Sequence, residues 1–246
     1  MELRVLSLYP EQMNIYADRG NILFLQRRCE WRGIEFEWRG AGPGESVDPA
    51  EHDFFYIGGG QDRDQRVVAA DMVETKSAAL HAAVDDGAVL LAVCGGYQLL
   101  GESYQLGEET LPGLGLADLR TVREEGPRLI GNVAIETELG GEKRILAGFE
   151  NHGGRTYLGP AARPLGRVVP GHGYGNNGGD GFEGIWRENM VGTYLHGPLL
   201  PKNSWLADHL IETALERRYG ERPRLEPLAD ELERAAHASA RAAAGV

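Results

Sequence analysis

In the stretch Ala88-Val-Leu-Leu-Ala-Val-Cys94-Gly-Gly-Tyr-Gln98, a thiol stands where a chain can turn it into a nucleophile. Six apolar residues, Ala88 to Val93, follow the turn signal Asp85-Asp86-Gly87 and read as a strand buried on both faces. The run stops at Cys94, two glycines follow, and Tyr97-Gln98-Leu99-Leu100 reads as a helix start. A strand that passes at once into a helix must bend sharply, and the bend needs small neighbours. Ala92, Gly95 and Gly96 supply them. The pattern is that of a nucleophile elbow, with the sulfur above the sheet and a helix N-terminus beneath it. Free N–H groups and the helix dipole there favour the thiolate, the reactive form of cysteine. The plainer reading is an inert cysteine closing a buried strand.

A nucleophilic thiol needs a base within hydrogen-bond reach, and histidine titrates in the right range. His196 ends the strand-like run Met190-Val-Gly-Thr-Tyr-Leu, just before a Gly-Pro break. His152, in the polar turn Glu150-Asn-His-Gly-Gly, is its rival. An oxyanion hole needs backbone N–H groups that approach closely, which glycine allows. Gly58-Gly59-Gly60 follows the apolar run Phe54-Phe-Tyr-Ile57, and the N–H groups of Gly60 and Gly95 are the expected pair.

These residues require a scaffold that brings strand ends together, and the chain reads as one. Leu3 to Leu8 is a first strand, and Asn21 to Arg32 a helix that Gly33 ends, with Cys29 as core filler. Ile34-Glu-Phe-Glu-Trp38 alternates with period two, as a half-buried strand does. Gly40 to Pro49 is a loop, and Asp64 to Asp86 reads as one or two helices. Alternation of this kind builds parallel βαβ units, so the expected fold is α/β: a doubly wound, mostly parallel central sheet flanked by helices. Active sites in such sheets lie at the carboxyl ends of the strands, where Gly58–Gly60 and Cys94 would meet. The second half is more β-like, with strands at Leu129 to Leu139 and Arg167 to Pro170. A loop from Gly171 to Gly184 follows, and then a helix from about Lys202 to Tyr219. The expected division is a catalytic domain over 1–220 and a helical or flexible tail over 221–246.

A chain of 246 residues with 42% hydrophobic content is long and apolar enough for one sizeable core. Its net charge of -12 argues against nucleic acid or an anionic membrane as principal partner. Two cysteines make neither a disulfide framework nor a metal cluster. No basic-then-apolar leader and no long apolar span is present, so a soluble, cytoplasmic protein is expected.

Taken together, Gly58-Gly59-Gly60, Val93-Cys94-Gly95-Gly96-Tyr97-Gln98, Glu150-Asn-His152-Gly and Thr193-Tyr-Leu-His196-Gly197 resemble the class I glutamine amidotransferases. The histidine followed by glycine is similar to the branch found in cobyric acid synthase. The opening Leu-Ser-Leu-Tyr-Pro…Met-Asn-Ile-Tyr-Ala-Asp-Arg-Gly-Asn and Arg128-Leu-Ile-Gly-Asn132 resemble a narrower group. These are the glutaminase subunits of lipid II isoglutaminyl synthases, which work beside a Mur-ligase-like subunit. The likeness runs from about Leu3 to Tyr219. It implies that Cys94 attacks the side-chain amide of L-glutamine and that His196 moves the protons. It further implies that Arg128 holds the α-carboxylate of glutamine and that Gln98 contacts the substrate. No cofactor or metal is implied in this chain. ATP is expected on the partner, which would amidate the D-glutamate of lipid II to D-isoglutamine within a heterodimer.

One departure stands out. Most class I enzymes carry a glutamate two residues after the histidine, and here that residue is Pro198. Glu150, Asp180, Glu183 or an acid from the partner are the candidates to replace it. The alternatives to the synthase reading are an amidotransferase subunit for a cobyrinate-type acceptor and a non-catalytic binding subunit.

Overall fold

The computed structural model describes residues 1–15 and 18–246; Tyr16 and Ala17, inside the opening motif, lie outside the described residues. Its centre is a six-stranded sheet built from the apolar runs. β1 (Glu2–Leu8), β3 (Phe54–Ile57) and β4 (Val89–Val93) are its middle, with β2 (Glu35–Ala41) at one edge. β14 (Met190–Thr193) and β13 (Ile185–Arg187) complete it in the order β13-β14-β4-β3-β1-β2. Every pairing is parallel except β13 with β14. All four residues of β3 and all five of β4 are buried, as a strand covered on both faces requires.

Helices cover the sheet. They include α1 (Arg19–Glu30), α2 (Asp62–Asp71), α3 (Ser77–Asp85), the single turn α4 (Gly95–Gln98), and α5 (Leu199–Lys202) with α6 (Ser204–Tyr219). A π-helical segment, Met72–Lys76, joins α2 to α3, so of the one or two helices expected in this region there are two, linked by it. The helix expected after Cys94 also stops early. The carbonyls of Leu99 and Leu100 accept hydrogen bonds from the N–H groups of Leu114 and Ala117, which takes them out of a helical ladder. Cys29 is fully buried on α1, as core filler should be.

Two four-stranded sheets stand beside the central one. The first joins β10 (Gly154–Leu158), β7 (Leu119–Arg123), β5 (Ser103–Leu106) and β6 (Glu109–Pro112). The second joins β12 (Phe182–Glu183), β11 (Gly166–Val168), β8 (Leu129–Thr137) and β9 (Arg144–His152). The residues beyond Tyr219 end in α7 (Glu231–Ala244), which packs on α5, β8 and β9. Its entry is pinned by Arg28, fully buried and paired with both Asp208 and Asp230. Asn132 and His172 hold its far end by hydrogen bonds to the carbonyls of Ala243 and Ala244. No helix among the described residues is long and apolar enough to cross a membrane.

Candidate active site

Cys94 leaves β4 at φ 50° and ψ -103°, a backbone region an L-residue occupies at a cost of about 1–3 kcal/mol. Its neighbours hold it there. Its own N–H donates to Thr193 O (2.8 Å), and the Gly96 N–H donates to Gly58 O (3.1 Å). The glycines are needed for contact as well as for bending. A Cβ on Gly96 would stand 2.6 Å from Ile57 Cγ2, and one on Gly95 would stand 2.8 Å from Gly60 N. The elbow is therefore pressed onto the end of β3 and the loop that follows it.

Each glycine of the Gly58–Gly60 triplet does something different. Gly58 supplies the carbonyl that fixes the elbow, and Gly59 donates its N–H to Asp18 Oδ2 (2.7 Å). Gly60 lines a cavity of about 300 Å³ together with Cys94, Gln98, Arg63, Arg128 and His152. Among the described residues, neither the Gly60 nor the Gly95 N–H donates to a protein group. Gly60 thus shares a cavity with Cys94, and Gly95 follows Cys94 directly at the elbow.

His196 reaches Cys94 from β14, the neighbouring strand. Its backbone is clamped to β9, since its N–H donates to Phe149 O at 2.8 Å. The ring is fully buried. Burial by itself would lower the imidazole pKa. The adjacent Cys94 sulfur and the Asp18 carboxylate outweigh burial and hold the imidazolium up to about 10. The ring is therefore protonated near neutral pH, a positive charge held beside the sulfur.

His152, the rival, is tethered elsewhere. Its Nδ1 donates to Gly154 O (2.7 Å), its Nε2 lies 3.4 Å from Glu150 Oε2, and its ring stacks on Tyr194 with centroids 3.5 Å apart. Burial keeps its pKa below the ordinary histidine range, against the pull of Glu150 and Gly154 O. It forms a wall of the cavity.

Arg128 lies at the rim. Its Nε donates to Asn151 Oδ1 and its Nη2 to Asn151 O, both at 2.7 Å, which aims the guanidinium. Gln98 lines the cavity, but protein partners engage its amide. Oε1 accepts from Gln65 Nε2 (2.6 Å), and Nε2 donates to Tyr194 Oη (3.2 Å). Among the described residues, one amide proton of Gln98 has no acceptor. Arg63, on the first turn of α2, adds a second cation to the cavity that the sequence reading had not singled out.

The internal acids expected near His196 prove to be occupied. Glu150 accepts from the N–H groups of Tyr174 (2.6 Å) and Gly175 (3.0 Å) and so fixes the glycine-rich loop. Asp180 caps the same loop through Phe182 N–H and Asn177. Glu183 accepts from Tyr194 N–H (2.6 Å) and Thr193 Oγ1. The carboxylate nearest the ring is instead Asp18, fully buried, with Oδ1 3.6 Å from His196 Nδ1. Sequence reading missed it because an aspartate just before a helix reads as an ordinary cap. Its position after the first strand, on the carboxyl edge of the sheet, was the available signal.

Comparison with known proteins agrees with this architecture. A model of the CobB/CobQ-like glutamine amidotransferase domain matches residues 4–204. The chain is 41% identical over 218 residues to "Lipid II isoglutaminyl synthase (glutamine-hydrolyzing) subunit GatD" of Staphylococcus aureus, covering 88% of this chain and 86% of that subunit. To the same-named subunit of Streptococcus pneumoniae it is 38% identical, covering 89% and 83%. Cobyric acid synthase of Pelotomaculum thermopropionicum is 36% identical over 157 residues, 58% of this chain and 29% of that protein. Among solved structures, PurLQS from Thermotoga maritima superposes with a TM-score of 0.57 at 17% identity, covering 88% of this chain and 99% of that one. At that identity the likeness speaks to the fold alone. The family match spans most of the chain and includes Cys94, Arg128 and His196, so the chain belongs to the CobB/CobQ-like glutamine amidotransferases.

Proposed function

We propose that this chain is the glutaminase subunit of a lipid II isoglutaminyl synthase. It would hydrolyse L-glutamine and pass ammonia to an ATP-dependent, Mur-ligase-like (MurT-like) partner that amidates D-glutamate of lipid II to D-isoglutamine. The observation that carries the reading is the strained Cys94 elbow, paired with the buried His196 imidazolium and opening on a cavity that Arg128 borders. The GatD subunits match across nearly nine-tenths of the chain and cobyric acid synthase across little more than half, which favours the lipid II acceptor over a cobyrinate-type one. The site of action is the cytoplasm, and the working form is a heterodimer.

The chemistry follows from the geometry. Arg128, already aimed by Asn151, pairs with the α-carboxylate of glutamine and sets the side-chain amide over Cys94. The thiolate attacks the amide carbon, and the oxygen takes up negative charge facing the N–H groups of Gly60 and Gly95. His196 gives its proton to the nitrogen as the C–N bond breaks, which releases ammonia and leaves a γ-glutamyl thioester. The now neutral ring takes a proton from water as the water attacks the thioester. Collapse frees glutamate and restores the thiolate–imidazolium pair. No metal or cofactor has a part in these steps; the ATP chemistry belongs to the partner.

The test is glutamate release from glutamine by the purified chain, with and without a Mur-ligase-like partner. Slow release by the chain alone and faster release with the partner is the expected result. A chain that releases no glutamate even in the complex would overturn the reading.

A further inference from the structure

We infer that Asp62 takes the α-ammonium group of the substrate and makes this site select free, zwitterionic glutamine. The inference rests on the glutaminase reading for the molecule that fills the cavity. That cavity has a buried floor and an open rim. Cys94, Gln98 and His152 are buried and form the floor, while Asp62, Arg63 and Arg128 stand at the rim, exposed or half-exposed. A glutamine whose amide reaches Cys94 leaves its α-carbon, two methylenes back, at that rim. The α-carbon carries one anion and one cation, so a matching rim offers both signs. Arg128 and Arg63 are its cations, and Asp62 is the one acid that lines the cavity among the described residues.

The contacts around Asp62 hold it in place without using it up. Its Oδ1 accepts from the hydroxyl of Tyr104, a fully buried side chain, at 3.1 Å, and its Oδ2 accepts no hydrogen bond among the described residues. A carboxylate anchored by one oxygen presents the other to a charged N–H, and such bonds are the strong ones. The capping of α2 does not need Asp62, because Asp64 accepts from the Gln61 N–H at 3.4 Å. Arg66, one turn further along α2, is bound to Glu109 at 2.6 Å. An α-nitrogen that is missing or acylated would leave the Asp62 charge without its partner. A site built around a polar group of the substrate rejects the analogue that lacks it.

The test pairs a change in the protein with a change in the substrate. Asp62→Asn keeps an oxygen for the Tyr104 hydroxyl and loses the charge. Ammonia release is measured for the full-length chain and the variant, with the partner ligase present, from L-glutamine and from 4-carbamoylbutanoate, which is glutamine without its α-amino group. The unaltered protein should prefer glutamine by roughly 100-fold or more in kcat/KM. In the variant the KM for glutamine should rise roughly 10- to 100-fold with kcat within about threefold, while kcat/KM for 4-carbamoylbutanoate stays within about threefold. An equal loss on both substrates, or a preference that the variant keeps, would show that Asp62 only supports α2 and overturns the inference. Should the variant fail to fold, the unaltered protein decides, because a preference for glutamine below about threefold overturns it as well. If the unaltered complex releases no ammonia from glutamine, the glutaminase reading falls, and calorimetric titration of the chain with the two compounds still judges Asp62. Tighter binding of glutamine then supports the assignment, and equal binding, or none, refutes it.

Discussion

Glu183 offers the most quantitative test of how this site is built. Burial pushes its carboxyl up to about 8 from an ordinary 4.5. The hydrogen bonds from Tyr194 N–H and Thr193 and the charge of His196 pull the other way, and Glu150 adds repulsion. At pH 7 the folded protein therefore holds Glu183 protonated, whereas the unfolded chain ionises it. A folded pKa above the unfolded one gives a contribution that is complete below about pH 4.5 and is lost as pH rises through about 8. At about 1.4 kcal/mol per pH unit, that loss is on the order of 5 kcal/mol, comparable with the lower end of whole-domain stabilities. Glu183→Gln removes the titration but not the contacts. Its amide oxygen can accept from both Tyr194 N–H and Thr193 Oγ1, as Glu183 Oε1 does. Urea unfolding of both proteins at pH 5, 7 and 9 and fixed salt should give nearly equal stabilities at pH 5. By pH 9 the variant should lead by several kcal/mol, other groups cancelling in the difference. A difference that does not change with pH would refute the reasoning. Glutaminase activity at pH 7 should survive within a few-fold, because glutamine is as neutral as the acid it replaces and Asp18, not Glu183, is the carboxylate nearest His196 Nδ1.

Two further outcomes are expected. Cys94→Ala should abolish glutamine hydrolysis with the fold retained, and 6-diazo-5-oxo-norleucine should label Cys94 alone, because burial pushes the Cys29 thiol up to about 12; labelling of Cys29, or an active variant, contradicts the nucleophile assignment. Arg128→Ala should raise the KM for glutamine by roughly 10- to 100-fold, the worth of a charge-assisted hydrogen bond at an exposed rim, while ammonia supplied directly still supports amidation by the complex; unchanged glutamine binding would contradict its role.

The central sheet was legible because β3 and β4 carry unbroken apolar runs and the β2 segment alternates with period two, and the elbow because its requirements fall on adjoining residues. Cys94, Gly60, Gly95, Arg128 and His196 were named from position or from family likeness; Gly60, Cys94 and Arg128 line one cavity, Gly95 follows Cys94 at the elbow, and the His196 ring lies against the Cys94 sulfur. What escaped was set by tertiary contact. Gln98 is engaged by Gln65 and Tyr194, from segments 33 and 96 residues away. The early end of α4 depends on N–H groups at 114 and 117. The docking of the tail depends on Arg28 buried between Asp208 and Asp230. None of these leaves a local pattern.

Nucleophile and acid answer to different constraints, which explains how Pro198 can stand where relatives carry a glutamate. An elbow must be contiguous, since its strain and its N–H groups belong to successive residues. An orienting acid has only to reach Nδ1, and in a sheet ordered β14-β4-β3-β1 the loops after four parallel strands open on one edge. His196 follows β14, Cys94 follows β4, the glycine triplet follows β3, and Asp18 lies in the loop after β1. Pro198 then takes a different part. The chain turns at Gly197 with φ +89°, and the proline ring lies over Gly20, where a Cβ would stand 2.7 Å from its Cγ. The segment after the histidine therefore packs instead of titrating: it presses on the start of α1 at Gly20, two residues beyond the buried Asp18.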